Sequence, residues 1–155
     1  ITKQMNHINK KGNPYIIDTS NKKITERLAI ASGEVKFDKV TYKKIRSLKT
    51  KKGNFEKTAI IAGIMGAKET FRLIPLCHNI PINNVNIDIK KNDKSNSILL
   101  IATVKTKANT GVEMEALTAV SIGCLTIYDM CKYLNKKIEI KNIKLVKKIG
   151  GKSDI

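Results

Sequence analysis

Four charged side chains lie at the two ends of a mostly apolar segment, residues 110–132 (TGVEMEALTAVSIGCLTIYDMCK). Glu113 and Glu115 lie near its start, and Asp129 and Lys132 lie near its end. A segment of this length and composition predicts a buried helix. Burying a charge is costly unless the charge is paired or used. The retained charges therefore indicate a site rather than a purely structural helix.

The two pairs of charges each have a structural and a functional interpretation. Asp129 and Lys132 are three residues apart and lie side by side on a helix, either as a surface ion pair or as a coupled acid–base pair. Glu113 and Glu115 complement the dipole at the helix start. Glu115 and Asp129 are separated by roughly 21 Å along a helix. They belong either to two different sites or, as we prefer, to a composite site built from two subunits.

The loop RLIPLCHNIPI, residues 72–82, carries a second group of reactive side chains. Cys77 and His78 lie between Pro75 and Pro81, which predicts a rigid loop. A histidine there serves structure or catalysis, and a cysteine serves as an apolar filler or as a nucleophile. No second pair of ligands accompanies them, so the sequence predicts neither a metal site nor a cofactor.

Two segments combine lysine with glycine: KTKKGN at residues 49–54 and KKIGGKS at residues 147–153. Glycine lets backbone N–H groups approach an anion, and lysine supplies positive charge. Neither segment matches a P-loop. Together they predict a cradle for a triphosphate or a pyrophosphate.

The net charge of +17 raises the possibility of nucleic-acid binding. Only three of the 30 basic residues are Arg, the residue favoured for phosphate and base recognition. An RNA-binding module of similar fold would also need aromatic side chains on its sheet for base stacking. With 5% aromatic residues and no Trp, we expect no nucleic-acid partner.

The cysteines and the apolar segments of the sequence indicate the cellular compartment of the protein. The three cysteines form no CxxC motif, and Cys124 and Cys131 lie about 10 Å apart on one helix, too far to bond. No long apolar run predicts a transmembrane helix, and the start of the chain has no apolar signal segment. We expect a cytoplasmic protein without a membrane partner, or one of an organellar matrix after removal of a transit peptide.

The elements that must position these residues follow an α+β pattern, with one domain over residues 1–155 and an irregular arm at 1–24. Predicted strands cover residues 27–37, 82–90, 97–107 and 137–146. Asp38 caps a short helix with Val40 and Ile45 facing inward, and Asn54 caps a second helix over residues 55–73. The order predicts a ferredoxin-like sandwich, an antiparallel sheet packed against helices, with an extra helix before the second strand. Its open sheet face favours a homo-oligomer.

The segments LIPLCHNIPI, TGVEMEALTAVSIGCLTIYDMCK and the K-x-GGKS tail resemble signatures of the molybdenum cofactor biosynthesis protein C family, the cyclic pyranopterin monophosphate synthases. The start at His7–Gly12 and the segment KKGNFEKTAIIAGIMGAK at 51–68 are similar too. Two positions depart from the family tail, KSGGKSG: Ile149 replaces the Ser and Asp154 the final Gly. The loop LCHPL becomes LCHNI.

The resemblance implies a hexamer of three dimers with active sites at the dimer interface. It implies conversion of 3′,8-cyclised dihydro-GTP to cyclic pyranopterin monophosphate, with release of pyrophosphate. Asp129 and Lys132 match the catalytic pair of the family. The residues that match its substrate-contacting positions are Lys52, Leu76, Cys77, His78, Glu113, Met114, Glu115 and Lys148. Because Asp129, Lys132 and His78 are intact, a catalytically silent assembly subunit is disfavoured.

Overall fold

The computed structural model describes residues 7–47, 54–151 and 154–155. Within these ranges the chain forms four strands and three helices in the order β1-α1-α2-β2-β3-α3-β4. The strands are β1 (Thr25–Lys36), β2 (Asn84–Asn92), β3 (Ser97–Ala108) and β4 (Glu139–Ile149). The helices are α1 (Lys39–Ser47), α2 (Phe55–Leu73) and α3 (Glu113–Cys131).

The four strands form one antiparallel sheet in the order β2-β3-β1-β4. Helix α3 packs against β1, β3 and β4, and α2 packs against α3 and β2. This arrangement confirms the predicted ferredoxin-like α+β sandwich, with α1 as the additional helix before the second strand.

Small residues on the central strand bring α3 close to the sheet. Ala29 and Ala31 of β1 are fully buried. At Gly33 a Cβ atom would lie 3.0 Å from Sγ of Cys124 on α3 and would also overlap Val120. The neighbouring strand β3 contributes a continuous row of buried side chains at alternate positions: Ile98, Leu100, Ala102 and Val104. The sheet therefore packs closely against one side of α3.

Helix α2 has the bounds that the sequence predicts. Asn54 caps it, because its side-chain oxygen accepts hydrogen bonds from the backbone N–H groups of Glu56 and Lys57. Gly63 and Gly66 lie where α2 crosses α3. A Cβ at Gly63 would lie 2.9 Å from the carbonyl oxygen of Ala119, and one at Gly66 would lie 2.9 Å from Ile122 Cγ1. The two glycines therefore allow the helices to approach closely.

Helix α3 is the core element of the fold. By length and composition alone it is apolar enough to cross a membrane, and its position between α2 and the sheet accounts for that composition. Cys124 and Cys131 are buried and free, which confirms that they do not bond each other. Burial raises the pKa of the Cys124 thiol to about 12 and that of Cys131 to about 11.

The prediction for α1 is partly wrong. Ile45 is buried as expected, but Val40 is 64% exposed, and Thr41 and Tyr42 occupy the inner face instead. Polar groups explain the difference. The hydroxyl of Thr41 donates to Asp38 over 2.5 Å, and the hydroxyl of Tyr42 donates to Asp93 over 2.7 Å. An amphipathic pattern counted only from apolar residues misses such polar inward contacts.

Candidate active site

A cavity of about 500 Å³ lies at the amino end of α3, and we call it the α3 cavity. The loop after α2, the first turn of α3 and the start of the N-terminal arm form its walls. Six residues that the sequence singles out lie together here: Leu76, Cys77, His78, Glu113, Met114 and Glu115. The remaining lining residues are His7, Ile74, Ile80, Thr110 and Gly111.

The loop that carries Cys77 and His78 is anchored at both ends. At its start the N–H of Cys77 donates to the carbonyl of Ile74 over 3.2 Å. At its end the hydroxyl of Thr106 donates to the carbonyl of Pro81. Two residues further, the side-chain oxygen of Asn83 accepts from the backbone N–H of Lys107 over 2.8 Å. Strand β3 therefore fixes where the loop ends.

Glu115 is the most unusual group in the cavity. Its side chain is only 3% exposed, and no described residue donates a hydrogen bond to its Oε2 atom. The pKa of Glu115 is raised to about 6, chiefly by burial and in part by the nearby charge of Glu113, while a backbone hydrogen bond opposes the shift. A buried carboxylate oxygen without a donor is costly to leave unsatisfied. This oxygen is suited to accept N–H groups from a bound molecule.

Cys77 is held as a neutral thiol. Burial raises its pKa, and the carboxylates of Glu115 and Glu113 raise it further. Because the thiolate is the nucleophilic form, this environment disfavours Cys77 as a nucleophile. Of the two interpretations that the sequence left open, the structure favours an apolar wall residue.

His78 holds the N-terminal arm against the cavity. Its Nε2 atom lies 2.6 Å from the carbonyl oxygen of Ile17, and Nε2–H donates because a carbonyl only accepts. A second bond supports this one: the side-chain amide of Asn109 donates to the carbonyl of Thr19 over 2.9 Å. The arm therefore docks through backbone groups, whereas the apolar side chain of Ile16 is half exposed.

Lys148 at the end of β4 joins the cavity through Glu113. Its Nζ atom lies 2.5 Å from Oε1 of Glu113, and both side chains are about one-quarter exposed. Gly111 makes room for this carboxylate, because a Cβ there would overlap it. The first turn of α3, the Cys77–His78 loop and the end of β4 thus meet in one place.

Asp129 and Lys132 lie at the opposite end of α3. The Nζ atom of Lys132 is 2.8 Å from Oδ1 of Asp129, and both side chains are about half exposed. The hydrogen bond to Asp129 and its negative charge raise the pKa of Lys132. In one protomer the residues singled out from sequence therefore form two groups, separated by most of the length of α3. Lys52 lies outside the described residues.

A basic cavity of about 470 Å³ was missed by the sequence reasoning. Gly150 and Gly151 both have positive φ, and a Cβ at Gly151 would overlap the guanidinium of Arg27. The Nε atom of Arg27 is buried and has no hydrogen-bond partner among the described residues. The adjacent lysines Lys22 and Lys23, in the arm described above as irregular, were the sequence feature that could have indicated this basic cavity. The lining is Asn21, Lys22, Lys23, Thr25, Arg27 and Gly151.

Asp154 binds back to the glycine tail, the name we give to Gly150 and Gly151. Its Oδ1 atom accepts from the N–H of Gly150 over 2.9 Å, and the backbones of Lys148 and Ile155 exchange two hydrogen bonds. The departure from the family tail at this position therefore has a structural role. Over the described part of the chain, no cluster of three or more His, Cys, Asp or Glu side chains is arranged to hold a metal ion.

The fold and the site define a class: a ferredoxin-like α+β protein with ionisable side chains at both ends of one core helix. Residues 16–151 match the model of the MoaC family. The chain is 50% identical to a cyclic pyranopterin monophosphate synthase of Helicobacter pylori (strain Shi470) over 149 residues, 96% of this chain and 94% of the relative. Synthases of the same name from Helicobacter hepaticus and from Clostridium botulinum (strain Alaska E43) are each 49% identical over 150 residues, 97% of this chain and 94% of each relative. The chain belongs to the MoaC family.

Proposed function

We propose that this protein is a cyclic pyranopterin monophosphate synthase. It converts 3′,8-cyclo-7,8-dihydro-GTP to cyclic pyranopterin monophosphate and pyrophosphate, an early step of molybdenum cofactor biosynthesis. Relatives of this name match nearly the whole chain. The observation that carries the proposal is the buried Glu115 oxygen without a donor, in a cavity lined by Cys77 and His78.

Glu115 accounts for recognition of the purine-derived ring. The pyrimidinone edge of the substrate presents two adjacent N–H donors, the ring N–H and the exocyclic amino group. A carboxylate accepts both in a planar, charge-assisted pair. Leu76 and Met114 supply apolar surface for the face of the ring, and Met114 is partly exposed at the cavity wall.

Cations at two places account for binding of the triphosphate. Lys148 lies beside the α3 cavity, and Arg27 and the glycine tail form the basic cavity. Lys52 is assigned to the same role from the family motif. Lysine side chains, and backbone N–H groups of this segment other than that of Gly150, which is bound to Asp154, together neutralise the negative charge that develops as pyrophosphate departs.

Asp129 and Lys132 are the proposed catalytic pair. The reaction forms a bond between a sugar hydroxyl oxygen and the α-phosphorus, releases the hydroxyl proton to solvent, and breaks the bond from that phosphorus to the departing pyrophosphate. Proton transfers accompany the ring opening and rearrangement. Lys132, kept protonated by Asp129, is the proton donor in this scheme.

The residues at the two ends of α3 can act on one substrate only if two protomers each contribute one end. Glu115 and Asp129 of one helix are roughly 21 Å apart, too far for one small substrate to bridge. We assign each active site to an interface, with the start of α3 from one protomer and the end of α3 from its partner. A homohexamer of three dimers satisfies this arrangement. A soluble enzyme of the cytoplasm agrees with a core role for α3.

The direct test is turnover of the cyclised dihydro-GTP, with pyrophosphate and the cyclic pterin measured together. We expect the wild-type protein to form both products in equal amounts. Lys132→Ala and Asp129→Asn should lower kcat by about 100-fold or more, the usual size of an acid–base contribution. Lys136→Ala, an exposed lysine just beyond α3, is the matched control. An inactive wild type, or normal turnover by both variants, overturns the proposal.

A further inference from the structure

We propose that His7 is a substrate-binding residue, which donates a hydrogen bond to the carbonyl oxygen of the purine-derived ring. The inference rests on the proposed function, because it assigns a partner for one atom of that substrate. Its basis is a juxtaposition: His7 lines the same cavity as Glu115, although more than a hundred positions separate them along the chain.

A compact hairpin fixes the position of His7. The carbonyl of His7 accepts from the N–H of Tyr15 over 3.1 Å, and Ile8 pairs with Pro14 across the hairpin. The side chain of Asn9 accepts from the N–H groups of Lys11 and Asn13, over 2.9 and 3.0 Å. Residues 7–15 therefore form an ordered hairpin within the arm.

The hairpin is in turn held beside the cavity. It continues into Ile17 and Thr19, whose carbonyls bond to His78 and Asn109. His78 follows the first turn of the cavity loop, and Asn109 lies between β3 and α3. The arm is thus anchored at His78 on the cavity wall and at Asn109, next to the lining residue Thr110, and these two contacts place His7 beside the cavity.

Most of the other polar side chains of the cavity are already engaged or are poorly suited to donate a hydrogen bond to a ligand. Lys148 pairs with Glu113, and Nε2 of His78 is engaged by Ile17. Cys77 is a neutral thiol, and Glu115 only accepts when ionised. The imidazole of His7 has no hydrogen-bond partner among the described residues, and it carries an N–H donor in either tautomer. With the hydroxyl of Thr110, it is therefore one of two side-chain donors in the lining that can serve an acceptor on the ligand.

The chemistry of the substrate edge matches this division of roles. A guanine-derived ring presents a carbonyl acceptor beside its two N–H donors. Glu115 is suited to the donors and His7 to the acceptor. Recognition of all three atoms favours the 2-amino-4-oxo pattern of the ring over an adenine-like pattern, which has an amino group in place of the carbonyl.

The test compares His7→Ala, His7→Gln and Lys10→Ala in the full-length protein with the cyclised dihydro-GTP. Loss of one hydrogen bond should raise KM about tenfold in His7→Ala and leave kcat within about twofold. His7→Gln keeps an N–H donor and should recover most of the affinity. Lys10 lies on the same hairpin but does not line the cavity, so Lys10→Ala should behave as wild type.

A second measurement addresses the ligand atom itself. GTP should inhibit wild-type turnover more strongly than ATP, and His7→Ala should reduce that preference about tenfold. An unchanged KM in His7→Ala, or an unchanged preference for GTP, overturns the role of His7 while the wild type still turns over. An inactive wild type instead overturns the proposed function, so the two failures are distinguishable.

Discussion

The Nζ atom of Lys148 lies 2.5 Å from Oε1 of Glu113, and this ion pair joins the end of β4 to the first residue of α3. The contact links the glycine tail, which begins just after β4, to the wall of the α3 cavity. A cation from a segment distant along the chain thereby reaches a cavity whose other charged groups are carboxylates.

Lys148→Met and Glu113→Gln separate the two halves of this pair. Lys148→Met removes the cation that we assign to the substrate phosphates, and KM should rise about tenfold or more. Glu113→Gln keeps Lys148 and should change KM less. Each variant should cost less than about 1 kcal/mol of unfolding free energy in urea, because the pair is partly exposed. Equal increases of KM would show instead that the pair acts as one unit.

Glu115 makes stability depend on pH. Its pKa is raised from 4.5 to about 6, so the native state binds this proton more tightly than the unfolded chain. The stabilisation from the proton is complete below about pH 4.5 and is lost as pH rises through about 6. Glu115→Gln should therefore be more stable than wild type near pH 8, by at most about 2 kcal/mol. Urea unfolding at pH 5 and pH 8 measures the difference in unfolding free energy between Glu115→Gln and wild type. If that difference is the same at both pH values, the prediction is wrong.

The fold was largely readable from sequence because its local signals agree with one another. Asn54 at the cap and Pro75 just beyond the end define α2, and apolar alternation defines the strands. Strand ends are less certain: β4 begins at Glu139 and runs to Ile149, three residues past the predicted end. The pairing of Leu28 with Ile149 extends it, and such pairing depends on a partner strand that periodicity does not see.

The site was predictable only where its residues are close in sequence. The loop with Cys77 and His78, and the start of α3, were both identified, and the fold places them together. His7 and Arg27 were not identified as site residues because the tertiary structure brings them there. The pairing of Lys148 with Glu113 likewise follows from sheet topology rather than from spacing.

Gly63→Ala tests the helix crossing. An alanine in a helix interior normally gains about 1 kcal/mol over glycine. Here the added Cβ would lie 2.9 Å from the backbone carbonyl of Ala119, which is unable to rotate away. We expect a net destabilisation of about 1–3 kcal/mol, as for overpacked cores. Lys57→Ala, exposed on the same helix, should stay within about 0.5 kcal/mol. Thermal melts of both variants measure their stability relative to wild type. A Gly63→Ala variant more stable than wild type would contradict close packing at this point.

A composite site makes a prediction about mixed oligomers. Glu115→Gln impairs the start of α3 and Lys132→Ala impairs its end. If each site takes one end from each protomer, a mixed dimer contains one doubly altered site and one intact site. Equal mixing after subunit exchange should then restore about a quarter of wild-type activity, since half of the dimers are mixed and each has one intact site of two.

The matched control mixes Lys132→Ala with Asp129→Asn, two changes at the same end of α3. Every site in that mixture takes its catalytic end from an altered protomer, so no activity should return. Pyrophosphate release is the readout, with native mass spectrometry to establish that subunits have exchanged. If the first mixture stays inactive after exchange, or if the control recovers equally, the two ends of α3 do not combine across protomers. Recovery in the first mixture alone is the result that only a shared site produces, because neither variant carries both intact ends.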